Sequence, residues 1–384
     1  MSGGPETTDS WSWDTVESIL QAGRPIATSC TGGGSRAVSW LFNHPGASRA
    51  LVEAQIPYHA QAIDNYLGLP GPHRAVEETA RRLAAVARRR ARQLSGDGAV
   101  GLGASAALAT DRERRGADRA YIAARSQDQY EFVALQFDKC SDRLAQEEIL
   151  SATMLSTLAR RCECQILEPA MPAWVQMERC TTPVDEDIEG LLDGLFPTIA
   201  LGMSAAGDAK SVPWAERLLV SGSFNPLHEG HAGLADAAER CSGRETGFEL
   251  SVNNVDKPAL PYTDVLRRLA QPRQGRGIAL TREPTFLGKA RLLKGCWFAI
   301  GYDTALRLVE PAYYDGTTAG MTSALAELRD LNCRFYVAGR QWQGDYRGLA
   351  DVPLPKGFSE LFAPIPESEF RLDISSTTLR QGRK

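Results

Sequence analysis

Two histidines three positions apart, His228 and His231, sit in the run Ser221-Gly222-Ser223-Phe224-Asn225-Pro226-Leu227-His228-Glu229-Gly230-His231, and the whole chain holds five histidines. The apolar Leu218-Leu219-Val220 before this run reads as a buried strand, and the Ala/Leu-rich segment after it reads as a helix. Gly222 allows close backbone approach and Pro226 stiffens the loop. Both imidazoles then fall where a helix opens with unsatisfied N–H groups, an arrangement that suits a polyphosphate. Taken alone, the turn fits any phosphate or a stray metal. Its spacing differs from the i, i+4 pair of a helical zinc site.

Other polar residues follow strand-like segments. Lys257 follows 248–252, Asp303 follows 296–300, Arg340 follows 334–337, and Ser375, Ser376, Thr377 and Arg380 close the chain. In a parallel α/β sheet, ligands bind outside the carboxyl ends of the strands, where all of these fall. Phosphoryl-type transfer needs positioning and charge stabilisation more than covalent chemistry. Imidazole donors, Lys257, Arg340, Arg380 and a hydroxyl-bearing helix start would supply both, with Mg2+ bridging the phosphates. Asp303 suits ribose hydroxyls or the metal. Trp297, Phe298 and Tyr302 read as core, and Thr285-Phe286 with Lys289 is a candidate contact to an acceptor.

The first run together with Ile374-Ser375-Ser376-Thr377-Thr378-Leu379-Arg380 resembles the nucleotidylyltransferase superfamily over about 217–384, especially the nicotinamide/nicotinate mononucleotide adenylyltransferases. The resemblance implies a Rossmann-like domain that joins AMP from ATP to a mononucleotide and releases pyrophosphate, with Mg2+ as cofactor, in NAD biosynthesis. It implies His228, His231 and Lys257 as catalytic. It also implies Gly222, Ser223, Phe224, Asn225, Asp303, Arg340, Ser375, Ser376, Thr377 and Arg380 as ATP- or phosphate-binding. Two alternatives stay open: another phosphorylated acceptor, or a nucleotide-binding sensor or scaffold without turnover.

A second glycine turn, Ala27-Thr28-Ser29-Cys30-Thr31-Gly32-Gly33, resembles the CinA C-terminal domain family, whose members include nicotinamide mononucleotide deamidases, over about 13–165. Pro45-Gly46-Ala47-Ser48, Tyr58 and Asp142-Arg143 carry the match further. Ser29, Thr31, Gly32, Gly33, Tyr58 and Arg143 then mark a vestigial site. The family's lysine falls on Ile63, its acidic residue on Thr28, and its glycine-proline loop on Ser105–Thr110. His59 could replace the lost base only if its segment is helical. With an intact site the chain would be bifunctional, deamidating and then adenylylating the same mononucleotide. The turn itself predicts a second anion site at a helix start, and Cys30 beside it is either a reactive thiol or a small buried residue.

Positioning these groups requires two α/β domains. The first, 13–165, is expected as an α/β sandwich after a disordered lead over 1–12. Its helices are expected near 13–22, 35–42, 75–94 and 141–160, and its strands near 25–27, 99–102, 119–123 and 131–137. The proline-interrupted stretch 166–213 reads as a connector with one short helix near 188–195. The second domain, 214–384, is expected as a Rossmann-like parallel sheet with strands near 217–220, 248–252, 277–280, 296–300 and 334–337. At 384 residues, 43% hydrophobic and 23% charged with net charge −4, the composition argues against a general nucleic-acid or membrane-surface binder. The arginines at 81, 82, 88, 89, 90 and 92 therefore read as a solvated helix face. Eight scattered cysteines fit reduced thiols, and no 18-residue apolar run or signal pattern occurs, so a cytoplasmic protein with small-molecule partners is expected. Homo-oligomerisation is left open.

Overall fold

The computed structural model describes residues 8–371 apart from 112–114, 167, 204–211, 254–258 and 343–344. Two compact units, Met1–Asp185 and Glu186–Lys384, divide the chain.

The first unit runs α1 (Thr8–Gln21), β1 (Ile26–Thr31), α2 (Ser35–Asn43), β2 (Leu51–Gln55), α3 (Ala60–Leu67), α4 (Glu77–Ser95), β3 (Val100–Ala107), β4 (Asp118–Arg125), β5 (Gln129–Phe137), α5 (Arg143–Cys162) and β6 (Val175–Pro183). Its sheet has the order β2-β1-β3-β4-β5-β6. The first three strands are parallel, and β4, β5 and β6 are added antiparallel. Alternation along β1 and β3 sends Ile26, Cys30, Val100, Leu102 and Ala104 to one face, against Leu20 of α1, Leu41 of α2 and Leu155 of α5. On the other face α4 lies almost on the backbone. A Cβ on Gly103 would stand 2.3 Å from the Ala80 carbonyl oxygen. That face also carries Thr31 and Ser105, which are direct partners across β1 and β3.

Four expectations are corrected here. Helix α1 already begins at Thr8, inside the stretch expected as disordered. The arginines of α4 are not all solvated, because Arg81 and Arg88 are buried and Arg81 is held 2.8 Å from Glu78. The expected connector has its short helix, at Glu186–Asp193, but is more regular than expected: β6 pairs with β5 along its whole length, and the strand Thr198–Leu201 joins the second sheet. Strand β2, absent from the sequence reading, pairs with β1.

The second unit contains α6 (Glu186–Asp193), β7 (Thr198–Leu201), β8 (Arg217–Ser221), α7 (Glu229–Ser242), β9 (Glu245–Ser251), α8 (Tyr262–Leu269), β10 (Ile278–Thr281), α9 (Phe286–Leu292), β11 (Trp297–Gly301), α10 (Tyr302–Leu308), α11 (Thr318–Asp330), β12 (Phe335–Ala338), the hairpin β13 (Arg340–Trp342) with β14 (Asp345–Arg347), and β15 (Phe362–Ile365). Its seven-stranded sheet has the order β15-β12-β11-β8-β9-β10-β7, parallel throughout except for β7. The chain moves outward through β8, β9 and β10, then returns to the centre as β11 beside β8. That reversal falls between β8 and β11, the kind of switch point at which open α/β sheets bind ligands. Leu219, Phe298 and Phe335 form the core with Ala290 of α9 and Leu325 of α11.

Gly103→Val should force α4 off the sheet and cost about 3 kcal/mol or more, whereas Gly98→Ala, where a Cβ meets nothing within 4 Å, should stay within about 0.5 kcal/mol. Urea unfolding of both variants measures this, and equal midpoints would refute the close approach.

Candidate functional site

The loop after β8 is held from three sides. Gln271, just past α8, donates from Nε2 to the Phe224 carbonyl at 2.8 Å and accepts from the Leu227 N–H at 2.7 Å. Buried Arg268 donates to the Ser223 carbonyl and is itself fixed 3.0 Å from Asp264. Arg267 donates to Asn225 Oδ1 at 3.1 Å. Phe224, with a positive φ of 45°, is buried edge-on against His231 and Phe248. It braces the loop from the core side, which corrects its expected contact with phosphate. Gly222 donates its N–H to the Glu249 carbonyl.

His228 is the N-cap of α7: its Nδ1 accepts from the Gly230 N–H at 3.2 Å, and its own N–H donates to His231 Nδ1 at 3.2 Å. A capping box built from two histidines follows. Because each Nδ1 accepts, each neutral ring carries its proton on Nε2 and acts as a donor. The ring centroids lie 3.9 Å apart. Burial lowers the His228 pKa, and burial with the His228 charge lowers that of His231 to about 4. Both rings are thus neutral donors at neutral pH, next to the open N-terminus of α7.

Beneath the loop lies the Glu249 carboxylate, fully buried in β9. Ser221 of β8 donates to it at 2.8 Å, Thr281 of β10 at 2.7 Å, and Lys289 of α9 pairs with it at 2.8 Å. Lys289 is therefore spent inside the fold, which corrects its reading as an acceptor contact. Thr285 caps α9, and Phe286 packs on Phe298 and Phe335. Past the end of β11, Asp303 stands in the first turn of α10 after Gly301, and Arg340 of β13 pairs with it at 3.2 Å. The two groups expected separately at strand ends neutralise each other. Phe298 is buried, Tyr302 packs against Trp342, and Trp297 stacks on Tyr336 and also carries Arg244 over its ring. Lys257, Ser375, Ser376, Thr377 and Arg380 lie outside the described residues. Sequence reasoning did not find Gln271, Arg268 or Glu249: none belongs to a local motif, and only the tertiary fold brings them to the loop.

In the first unit, the glycine turn leads to α2, whose N-terminus already holds an anion. The Glu147 carboxylate of α5 accepts from the Gly34 N–H at 2.9 Å and from the Arg36 N–H and Ser35 Oγ at 3.2 Å. The expected anion site is filled by the protein itself. Ser29 is fully buried in β1 with the Tyr66 hydroxyl as its polar neighbour. Ile63 is buried in α3, and His59 lies outside that helix as its N-cap. Arg143 braces Gly32 and Ala109 through their carbonyls, and Gly32 passes so close to Ala106 O that no Cβ fits. Gly33 packs against Leu108 and Leu150, while Tyr58 is exposed. Burial, with Glu147 nearby, pushes the Cys30 thiol up to about 12 and leaves it unreactive. Among the described residues no group of three or more His, Cys, Asp or Glu could hold a metal, and no helix is long and apolar enough to cross a membrane.

No protein-family profile and no curated protein matches the chain. Solved structures do. A competence-damaged protein (CinA) superfamily protein from Escherichia coli is 14% identical, with TM-score 0.33, covering 41% of this chain and 92% of its own. A competence or damage-inducible protein from Enterobacter asburiae is 16% identical, with TM-score 0.33 and coverages of 41% and 98%. A competence/damage-inducible protein from Agrobacterium tumefaciens is 18% identical, with TM-score 0.31 and coverages of 42% and 96%.

Two measurements test this geometry. Lys289→Met leaves the buried Glu249 charge without its cation and should cost about 3–5 kcal/mol, while Glu249→Gln/Lys289→Met should recover most of that loss. If the double variant is as unstable as the single one, the pair is not what stabilises the loop. The lowered His231 pKa means that the unfolded chain takes up the proton first as pH falls. Stability should therefore be full above about 6.5 and decline toward 4, and His231→Asn should flatten that slope in urea titrations. Parallel profiles for variant and wild type would contradict a buried neutral ring.

Proposed function

We propose that the second unit is a nucleotidyltransferase that joins AMP from ATP to a phosphate on a mononucleotide acceptor, with nicotinamide or nicotinate mononucleotide the first candidates. One observation carries this reading. Two neutral imidazoles cap the first helix after the central strand, beside the point where the strand order reverses. The reversal of strand order between β8 and β11 supports a Rossmann-like reading of this unit, with the ligand bound at that switch point.

His228 and His231 would donate from Nε2 to the triphosphate, adding to the N–H groups of α7. Gln271, Arg268 and Arg267 would keep the loop Ser223–Leu227 in its receiving shape, so that little has to move when the nucleotide arrives. The Asp303–Arg340 pair faces two ways: Arg340 can turn to phosphate while Asp303 accepts from ribose hydroxyls. Lys257, Ser375, Ser376, Thr377 and Arg380 belong to this proposal through the sequence motif.

Imidazoles are poor donors for Mg2+, and Asp303, the carboxylate proposed for this site among the described residues, is already paired with Arg340. The described residues therefore fit an ion carried by the triphosphate and water, not one held by a protein cage. Such an ion would supply charge neutralisation on the phosphates.

For the first unit, the buried Ser29 and Ile63 support a role in binding or stability over deamidation of the same mononucleotide. Incubation with ATP, Mg2+ and a panel of phosphorylated acceptors, following pyrophosphate release, tests the main reading. Turnover is expected with a pyridine mononucleotide, and His231→Ala should lower kcat by about 100-fold or more. Release with none of the acceptors, or an unchanged kcat in His231→Ala, overturns it.

A further inference from the structure

The second unit holds a cavity of about 480 Å³ at the edge of its sheet opposite the histidine loop. Trp297 opens β11, Arg334 directly precedes β12 and Arg244 directly precedes β9, so the cavity lies at the amino ends of these strands. Its volume is that of a small-molecule site. Three guanidiniums, those of Arg244, Arg329 and Arg334, line it against a single carboxylate, that of Glu360.

The three cations are not equivalent. Arg329 is exposed and pairs with Glu360 at 3.5 Å. Arg244 and Arg334 are half-buried, and neither meets a carboxylate among the described residues. Arg244 Nη1 donates to the Gly295 carbonyl at 2.8 Å, and Arg334 Nε donates to the Glu360 carbonyl at 3.2 Å. Carbonyls take up hydrogen bonds but bring no net charge. The Arg244 guanidinium lies 3.3 Å from the Trp297 ring centroid and that of Arg334 lies 5.4 Å from it, so one indole carries both positive charges. Burial lowers the Arg244 pKa, and the Arg334 charge acts in the same direction. Elsewhere in this unit a guanidinium is balanced directly, as Arg291 is by Glu327 at 2.6 Å and Arg347 by Asp351 at 2.9 Å.

We propose that this cavity binds a phosphate group, free or carried as a monoester by a small metabolite, through Arg244 and Arg334 with Arg329 as a third cation. Charge and shape set the class. Planar guanidinium forks match phosphate oxygens two at a time, and two uncompensated cations match a dianion. The indole is already engaged by Arg244 and Tyr336, which leaves recognition to charge and not to the stacking of a base. This site is separate from the one proposed at the carboxyl ends of the strands and does not depend on that reading.

The test titrates the full chain at low ionic strength with inorganic phosphate, with glycerol 3-phosphate and with glycerol as the uncharged comparison, by calorimetry and tryptophan fluorescence. Saturable binding of a phosphate compound and none of glycerol is expected, and the tighter of the two phosphates identifies the source. Arg334→Gln should weaken binding by about 10-fold or more, with Arg334→Lys between it and wild type. Glu360→Gln, which removes the one carboxylate of the walls, should tighten binding by about threefold. Trp297→Phe should remove the fluorescence change while calorimetry still registers binding, and Arg340→Gln at the other edge of the sheet should leave Kd unchanged. Urea midpoints follow folding in each variant. Arginines that only fasten the strand starts would shift the midpoint in Arg334→Gln and leave Kd intact, which overturns the proposal. So would the absence of saturable binding, or a Kd that responds to Arg340→Gln and not to Arg334→Gln.

Discussion

A single buried carboxylate ties the second unit together. Glu249 holds Ser221 of β8, Thr281 of β10 and Lys289 of α9, so three elements converge on one charge. A carboxylate in the interior is tolerated only where its lone pairs are taken up and its charge is balanced, and here both conditions are met. The position matters as much as the energy. Ser221 is the last residue of β8, so the point from which the histidine loop departs is fixed from below. Gln271 and Arg268 fix its other side. The loop is therefore rigid in the absence of ligand, as an electrostatically preorganised site requires.

The two units treat a similar opening in opposite ways. Both have a strand, a glycine-containing turn and a helix start. In the second unit the helix cap is made from two imidazoles that accept backbone N–H groups at Nδ1. In the first, α5 supplies Glu147 to the helix start, and the polar Thr31 and Ser105 lie on the opposite face of the sheet from Cys30. Alternation along β1 makes this separation unavoidable: Cys30 faces the α1, α2 and α5 layer, while Ser29 and Thr31 face α3 and α4.

Much of the fold was legible in the sequence because its central strands are short apolar runs between clear helical patterns. The strands at 217–221, 278–281, 297–301 and 335–338 lie where Leu218–Val220, Ile278–Leu280, Phe298–Ile300 and Phe335–Val337 placed them. The edges were not legible. Strand β6 is largely exposed and polar, so it has no hydrophobic signature, and its partner β5 alone makes it a strand. Strands β2 and β7 are five and four residues long and sit at sheet margins. At the sites, motif residues could be named, but residues that act from 28 to 44 positions away could not. Glu249 on Ser221, Gln271 on Leu227 and Lys289 on Glu249 are pairings made by topology alone. The fate of Arg81 shows the same limit, since its burial depends on how closely α4 meets a glycine-bearing strand.

Glu147 at the start of α2 can also be viewed as a tethered ligand. A free anion competes for such N–H groups at its bulk concentration, whereas a carboxylate on a packed helix is presented at an effective concentration above the millimolar values of flexible tethers. Helix α5 is anchored by Leu150, Met154 and Leu158 in the core, so this presentation does not lapse while the unit is folded. Metabolite phosphate, whatever its identity, is thereby outcompeted at the first glycine turn. The chain carries its own permanent occupant for that helix start.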